Sequence, residues 1–413
     1  MMRRIAAYSC YRCGREFPTS LTIDSRGCPS CQETAPSNLR LVYCTNGLPG
    51  ASAENAPELP SLWRYARRLP FEARNAISMG EGLTPLLRSE RVGNEIGVPD
   101  LFIKNETYNP TWSHKDRFST VAVTAAVDAD AQVVATSSSG NAGASLAAYA
   151  ARAGLQCVVA TIAGSAGPML SQIQKYGARV VAFENKHDRW PFLANGVERY
   201  GWFATSPYRQ PVVGSHPIGI EGYKTLAFEI IEQSNGTVPD WCAFPVCYGD
   251  ALVGTWLGFC ELMADGSISR MPRLLAAEAH GSLALALETG SDQISDMTAS
   301  FSALAVSVGA TRSTYQALKA LRASSGAAVT VANDGLISLQ DQIAAKEGTF
   351  LELSSVMALA GIAKARCQNI IQRDESVVAV VTASGLKDVD KSISGHRLPC
   401  FDNIEEALEH CAS

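Results

Sequence analysis

Lys115 stands in the segment Asn109-Pro110-Thr111-Trp112-Ser113-His114-Lys115-Asp116-Arg117, a polar turn that runs directly into a helix-forming stretch. A lysine acts as a Schiff-base nucleophile when its amine is neutral, which requires partial desolvation or a nearby cation; His114 and Arg117 flank it, with apolar sequence beyond. Three downstream loops have the composition to hold the remaining parts of one cofactor. Ser137-Ser138-Ser139-Gly140-Asn141 joins a β-branched run to an Ala-rich stretch, where free backbone N–H groups and the helix dipole favour a substrate carboxylate at Ser138, Ser139 and Gly140. Three serines and a glycine exceed what a helix cap needs. Asn141 adds a side-chain donor for a phenolic ring oxygen. Pro245-Val246-Cys247-Tyr248-Gly249-Asp250-Ala251 again leads from strand to helix and is a phosphate cradle by position, with the backbone N–H groups of Tyr248, Gly249, Asp250 and Ala251 as donors. The Asp250 carboxylate is expected to point away or to cap the helix. Thr382 ends the last strong strand and offers a neutral hydroxyl to a pyridine nitrogen. That partner leaves the ring a weaker electron sink than a carboxylate would, which suits elimination and replacement at β or γ carbons better than transamination. The cofactor that these four segments fit is pyridoxal 5'-phosphate.

The elements that must position these groups follow from periodicity. Strands are expected at 132–136, 155–162 and 178–183 with helices between them, and a second series brings a helix at 220–233, strands at 241–246, 273–278 and 377–382, and a helix from Leu252. The repeated strand-helix order predicts an α/β protein of two parallel-sheet lobes with a cleft between them. At 413 residues, 46% hydrophobic and 18% charged, the chain has ample core for this. A net charge of -5 supplies no basic field for nucleic acid or a membrane surface. The apolar runs are strand-length and the N-terminus lacks the apolar core of a signal peptide, so a cytoplasmic protein is expected.

Of twelve cysteines only four form a pattern. Cys10-x-x-Cys13 and Cys28-x-x-Cys31 present two thiolate hooks to one tetrahedral ion, the signature of a zinc ribbon. Four thiolates leave no open coordination position, so the zinc is expected to be structural; empty thiols or an oxidised pair are the alternatives. A Pro/Ala/Asn/Ser-rich linker follows Tyr43 and runs to about Pro60.

Together with Gly80-Glu81-Gly82-Leu83-Thr84-Pro85-Leu86, Glu221-Gly222-Tyr223-Lys224-Thr225 and Gly385-Leu386-Lys387-Asp388, these segments resemble, in the same order, the threonine synthase family of fold-type II pyridoxal phosphate enzymes. The resemblance implies a two-lobed architecture with the ribbon at 8–44, a large lobe at 45–115 and 208–413, and a small mobile lobe at 116–207. It implies that Lys115 carries the cofactor and acts as acid and base, that Asn141 and Thr382 contact the ring, that residues 248–251 hold the phosphate, and that the protein is a homodimer. The implied activity is that of a lyase on a small amino acid, first of all O-phosphohomoserine plus water to threonine plus phosphate. A relative acting by β-elimination or β-replacement on a serine- or threonine-like substrate is the alternative, and a non-catalytic ribbon scaffold the reading from another class. Trp112 stands where the family usually has glycine, and His114 where it has an aromatic residue, so His114 is either a proton shuttle or a packing ring. Gly219 falls where the family often has an arginine for substrate phosphate; Arg209 replaces it only if 210–219 is an insertion.

Overall fold

The computed structural model describes residues 5–44, 59–299, 301–392 and 400–412. Most of the expected linker, residues 45–58, lies outside the described residues. The larger sheet runs, in spatial order, Ala327–Thr330, Arg273–Glu278, Trp241–Pro245, Val377–Val381, Leu101–Asn105 and Leu86–Arg88, and only the last strand is antiparallel. The smaller sheet, Arg179–Phe183, Gln156–Ile162, Val133–Thr136 and Phe203–Ala204, is wholly parallel. Every strand expected from the sequence is present to within a residue, and the helix expected from Leu252 starts at Asp250. Val377–Val381 is buried at each position, as a parallel strand covered by helices on both faces must be. Leu101–Asn105 carries a weaker signal because its last two residues, Lys104 and Asn105, are polar yet buried. A third sheet, Ile5–Cys10 between Glu16–Phe17 and Leu39–Tyr43, is antiparallel and forms the Cys module, starting ahead of the expected position 8.

The three parts meet on one helix, Lys115–Asp128, which is buried from Asp116 to Ala126. Its apolar residues fall on three faces at helical spacing. Phe118 and Ala122 join the core under the large sheet, Val121 and Ala125 join the Cys module, and Val123 and Ala126 join the core of the small sheet. A helix apolar all round belongs in the interior, and this one is the shared wall of three cores.

Charge pins that helix in register. The fully buried Arg117 donates to Glu106 Oε2 from Nε at 2.7 Å and to Glu229 Oε1 from Nη1 at 2.5 Å, while Lys104 Nζ reaches Glu229 Oε2 at 2.7 Å. Two cations and two carboxylates therefore balance in a dry site, and Thr84 and Thr225 hydroxyls accept further N–H groups of Arg117. The chain comes close there: a Cβ on Gly222 would lie 1.8 Å from the Arg117 carbonyl oxygen.

The cations hold the Glu229 carboxyl down at about 2, against burial and against an ordinary value of 4.5. Its contribution is thus complete above pH 4.5 and lost as pH falls towards 2. Glu229→Gln should cost about 3–5 kcal/mol in denaturant unfolding near neutral pH. The gap between variant and wild type should narrow only below pH 4.5; an equal gap at all pH values would show that the carboxylate charge is not what stabilises the site.

Candidate active site

The turn before Lys115 is built by side chains that bond to backbone. Asn109 Oδ1 accepts from Gly82 N at 2.9 Å and its Nδ2 donates to Glu106 Oε2 at 2.9 Å. Trp112 N donates to Asn109 O at 2.7 Å, which bends the chain so that Trp112 sits at φ 63° with its indole 48% exposed. Asp116 accepts from Thr111 N at 2.6 Å and from Thr111 Oγ1 at 2.5 Å, so the helix closes the turn that precedes it. Burial pushes the Asp116 carboxyl up to about 6 despite these donors and Ser145. Lys115 is the first residue of the helix, with Nζ 5.8 Å from the centre of the Tyr223 ring. Burial pulls its amine below the usual lysine range, opposed by Asp250, Cys247 and Glu352. A desolvated lysine of this kind releases its proton more readily.

Gly140 starts the Asn141–Ala153 helix without a side-chain cap, which leaves the first-turn N–H groups open. A Cβ on Gly143 would lie 2.0 Å from Ser138 O, so this glycine lets the serine loop fold back onto its own helix. Asn141 is satisfied on one side only: Nδ2 donates to Glu352 Oε2 at 2.5 Å, and the buried Oδ1 has no partner. Gly249, at φ 84°, precedes the Asp250–Ala264 helix, and a Cβ there would lie 2.5 Å from that of Ala317. The Asp250 carboxylate is turned to Ser215, whose Oγ donates to it at 2.6 Å, leaving the helix N-terminus to its amides. Thr314 Oγ1 donates to Tyr248 O at 2.7 Å and supports the same loop from behind. Thr382 Oγ1 lies 2.9 Å from Ser355 Oγ, which also accepts from the N–H groups of Thr382 and Ala383.

Three residues of this neighbourhood carried no signal in the sequence. Glu352 is fully buried, holds Asn141 and Ser307 (Oγ, 2.7 Å), and precedes the Leu353–Cys367 helix; within Leu351-Glu352-Leu353 it reads as an ordinary solvated glutamate. Ser355 reads as a helix residue of that same stretch. Arg189 opens the Arg189–Tyr200 helix and donates from Nη1 to Ser137 O at 3.1 Å. Its charge also lowers the Tyr248 hydroxyl against the larger upward push of burial. No carboxylate pairs with Arg189 among the described residues. Arg209, by contrast, is held by Asp24 at 2.8 Å and by Glu198. Gly219 has no room for a side chain, since a Cβ would lie 2.4 Å from the Phe118 ring.

Residues 77–383 match the family model of pyridoxal-phosphate dependent enzymes. Threonine synthase of Methanocaldococcus jannaschii is 32% identical over 397 residues, covering 94% of this chain and 95% of that one. Threonine synthase of Mycobacterium leprae is 34% identical over 331 residues, covering 80% and 89%. The chain belongs to the threonine synthase family of pyridoxal-phosphate dependent enzymes. Among solved structures, serine racemase from Dictyostelium discoideum superposes with a TM-score of 0.60 at 21% identity, covering 73% of this chain and 92% of that one. An L-serine ammonia-lyase from Rhizomucor miehei gives 0.62 at 19%, covering 76% and 99%. Both carry the same fold-type II architecture of two lobes. No helix among the described residues is long and apolar enough to cross a membrane.

The residues present fit the family's cofactor. The Lys115 amine is desolvated and feels Asp250 and Cys247 of the phosphate-loop segment and Glu352, the partner of the half-satisfied Asn141 amide, while His114 N donates to Thr382 O at 2.8 Å. His114 fits the role of a packing ring in this family member. It is stacked on Tyr223 at 5.5 Å, and its Nδ1 lies 3.1 Å from Thr382 O, a contact that Nδ1 makes as the donor. Burial, then the Lys115 charge, drives its pKa well below the ordinary value, so the imidazole is neutral. The Cys module is compact: the four Sγ atoms of Cys10, Cys13, Cys28 and Cys31 lie within 4.8 Å of one another, with two pairs at 3.9 Å. Tetrahedral Zn–S bonds of about 2.3 Å place sulfurs roughly 3.8 Å apart, so the donor set fits zinc.

His114→Phe should keep the shape of the pH–rate profile between about pH 6 and 8 and cost activity no more than about threefold. A loss of about 10²-fold or more with a vanished inflection would make His114 a proton shuttle instead.

Proposed function

We propose that this enzyme converts O-phosphohomoserine and water to threonine and phosphate. The observation that carries the reading is the desolvated Lys115 at the start of the central helix, acted on by Asp250 and Cys247 beside the Gly249 turn and by Glu352, which holds Asn141. Bound pyridoxal phosphate supplies an electron sink for negative charge at substrate carbon. Lys115 would hold the cofactor and, once released from it, move the α proton as a neutral amine. Asn141, positioned by Glu352, would donate to the ring oxygen. Thr382, positioned by Ser355, would meet the ring nitrogen as a neutral group. The amides of residues 248–251 would hold the phosphate, and Ser138, Ser139 and Gly140 the substrate carboxylate. Arg189, without a carboxylate partner among the described residues and bound to the serine loop, would face the substrate's distal phosphate, a task that neither Gly219 nor the ion-paired Arg209 is free to perform. Asn141 to Glu352 and Lys387 Nζ to Gln172 Oε1 (2.9 Å) tie residues of 116–207 to the large sheet's helices and loops, which supports that segment as the lobe that closes. Zinc in the ribbon, a homodimer and a cytoplasmic setting belong to the same proposal.

The glycine at 219 favours one second reading, β-elimination or β-replacement on a substrate without phosphate. Phosphate release from O-phosphohomoserine separates the two, with the visible absorption band recorded in parallel. The first reading expects release, loss of both band and turnover in Lys115→Ala, and, in Arg189→Gln, a KM raised about tenfold with kcat little changed. A lysine-dependent band with keto-acid formation from hydroxyamino acids, and no phosphate release, moves the enzyme to the second; absence of any band with added cofactor would leave a scaffold.

Metal analysis of the purified chain should find one zinc. Its removal by chelation, or Cys28→Ser, should lower the unfolding midpoint, because the ribbon's fold draws on metal binding. A metal-free chain of unchanged stability rejects the zinc.

A further inference from the structure

Asp250 is the first residue of the Asp250–Ala264 helix, and Gly249 before it has no side chain with which to cap that helix. The first amides of a helix lack partners within it, and an acidic side chain in the first turn is a ready acceptor for them. The Asp250 carboxylate is therefore a competitor for the N–H groups that a cofactor phosphate would use. Its charge also reaches the Lys115 amine, and an anion so placed repels a phosphate dianion. The structure holds the carboxylate elsewhere. Ser215 Oγ donates to Asp250 Oδ2 at 2.6 Å, and Ser215 N lies 3.3 Å from each carboxylate oxygen.

Ser215 is itself placed from outside the cofactor loop. Asn38, 2% exposed and just ahead of the Leu39–Tyr43 strand of the Cys module, donates from Nδ2 to Ser215 O at 2.9 Å. Its Oδ1 accepts from Leu39 N at 2.8 Å, which fixes the direction of the amide. Gln316, fully buried, donates from Nε2 to Val213 O at 2.6 Å. Gly214 between these two anchors has φ 94°, and a Cβ there would lie 2.5 Å from Asp250 Oδ1 and 3.1 Å from Gln316 Nε2. The segment thus lies against the carboxylate because residue 214 carries no side chain.

We propose that Ser215 is a positioning residue for the cofactor phosphate: it holds the Asp250 carboxylate away from the amides of residues 248–251, braced by Asn38 of the Cys module. The proposal rests on the reading that those amides take the phosphate. Ser215 acts through Asp250, not by contact with the cofactor. Without its hydroxyl the carboxylate loses its 2.6 Å donor and turns to the amides of its own helix, closing the cradle from within. The effect is confined to the anion and leaves the cofactor ring unaffected.

The test is equilibrium titration of the chain, freed of cofactor, with pyridoxal phosphate and with pyridoxal, each followed by the visible band. Wild type should bind pyridoxal phosphate far more tightly than pyridoxal. Ser215→Ala should weaken pyridoxal phosphate about tenfold and leave pyridoxal unchanged. In Ser215→Ala/Asp250→Asn, which removes the competing charge as well, pyridoxal phosphate should return to within about threefold of its affinity for Asp250→Asn alone. Unchanged pyridoxal phosphate binding in Ser215→Ala overturns the proposal, and so does an equal loss for both compounds, which would mark a structural defect. A double variant no better than Ser215→Ala overturns it too. Equal binding of the two compounds by wild type is a different failure, since it removes the phosphate cradle at 248–251 and the proposal with it.

Discussion

Four buried charges govern where the chemistry can happen. Arg117, Glu106, Glu229 and Lys104 come from the central helix, from the turn after one large-sheet strand, from the Lys224–Gln233 helix and from the strand itself. Such a cluster tolerates no partial version, since removing one member leaves another charged and dry. The helix is therefore held at one rotation and one height, and Lys115, two residues earlier, is delivered to the cleft at a fixed place. The same helix presents its other faces to the Cys module and to the small sheet, so that the site inherits its rigidity from three cores at once.

The cleft itself is closed by polar contacts that cross it. Asn141 belongs to a helix of the small sheet and Glu352 to the large one, and Lys387, buried, links Thr111 O at 2.7 Å to Gln172. Burial draws the Lys387 amine down to about 8. Asn141 to Glu352 and Gln172 to Lys387 thus tie helices of the small sheet to the large sheet's side of the cleft through side chains alone.

The sequence exposes the parts of the site that depend on backbone. Gly140, Gly249 and the serines stand at strand ends where only certain residues let amides point outward, and the alternation of apolar runs fixes which ends those are. The supporting carboxylate and hydroxyl, Glu352 and Ser355, are silent because a buried polar side chain looks like an exposed one until its partners are known. The central helix is misleading for a related reason: an apolar residue on every face gives no hint that the faces serve three different cores. Lys104 hides a strand for the same cause, being a charge whose partner lies far along the chain. Arg189 is a further case, since its bond to Ser137 joins a helix start to a loop 52 positions earlier.

Trp112 occupies a left-handed bend, where a β-carbon crowds the backbone at a cost of about 1–2 kcal/mol and glycine would be free of strain. Roughly a tenth or more of a typical domain's net stability is thus given up for an indole that is half in solvent. Heat alone would select glycine at that position. Trp112→Gly would therefore relax the turn and strip a half-exposed ring from the surface three residues before Lys115 in one change, so that thermal stability and the shape of that surface are set against each other at residue 112.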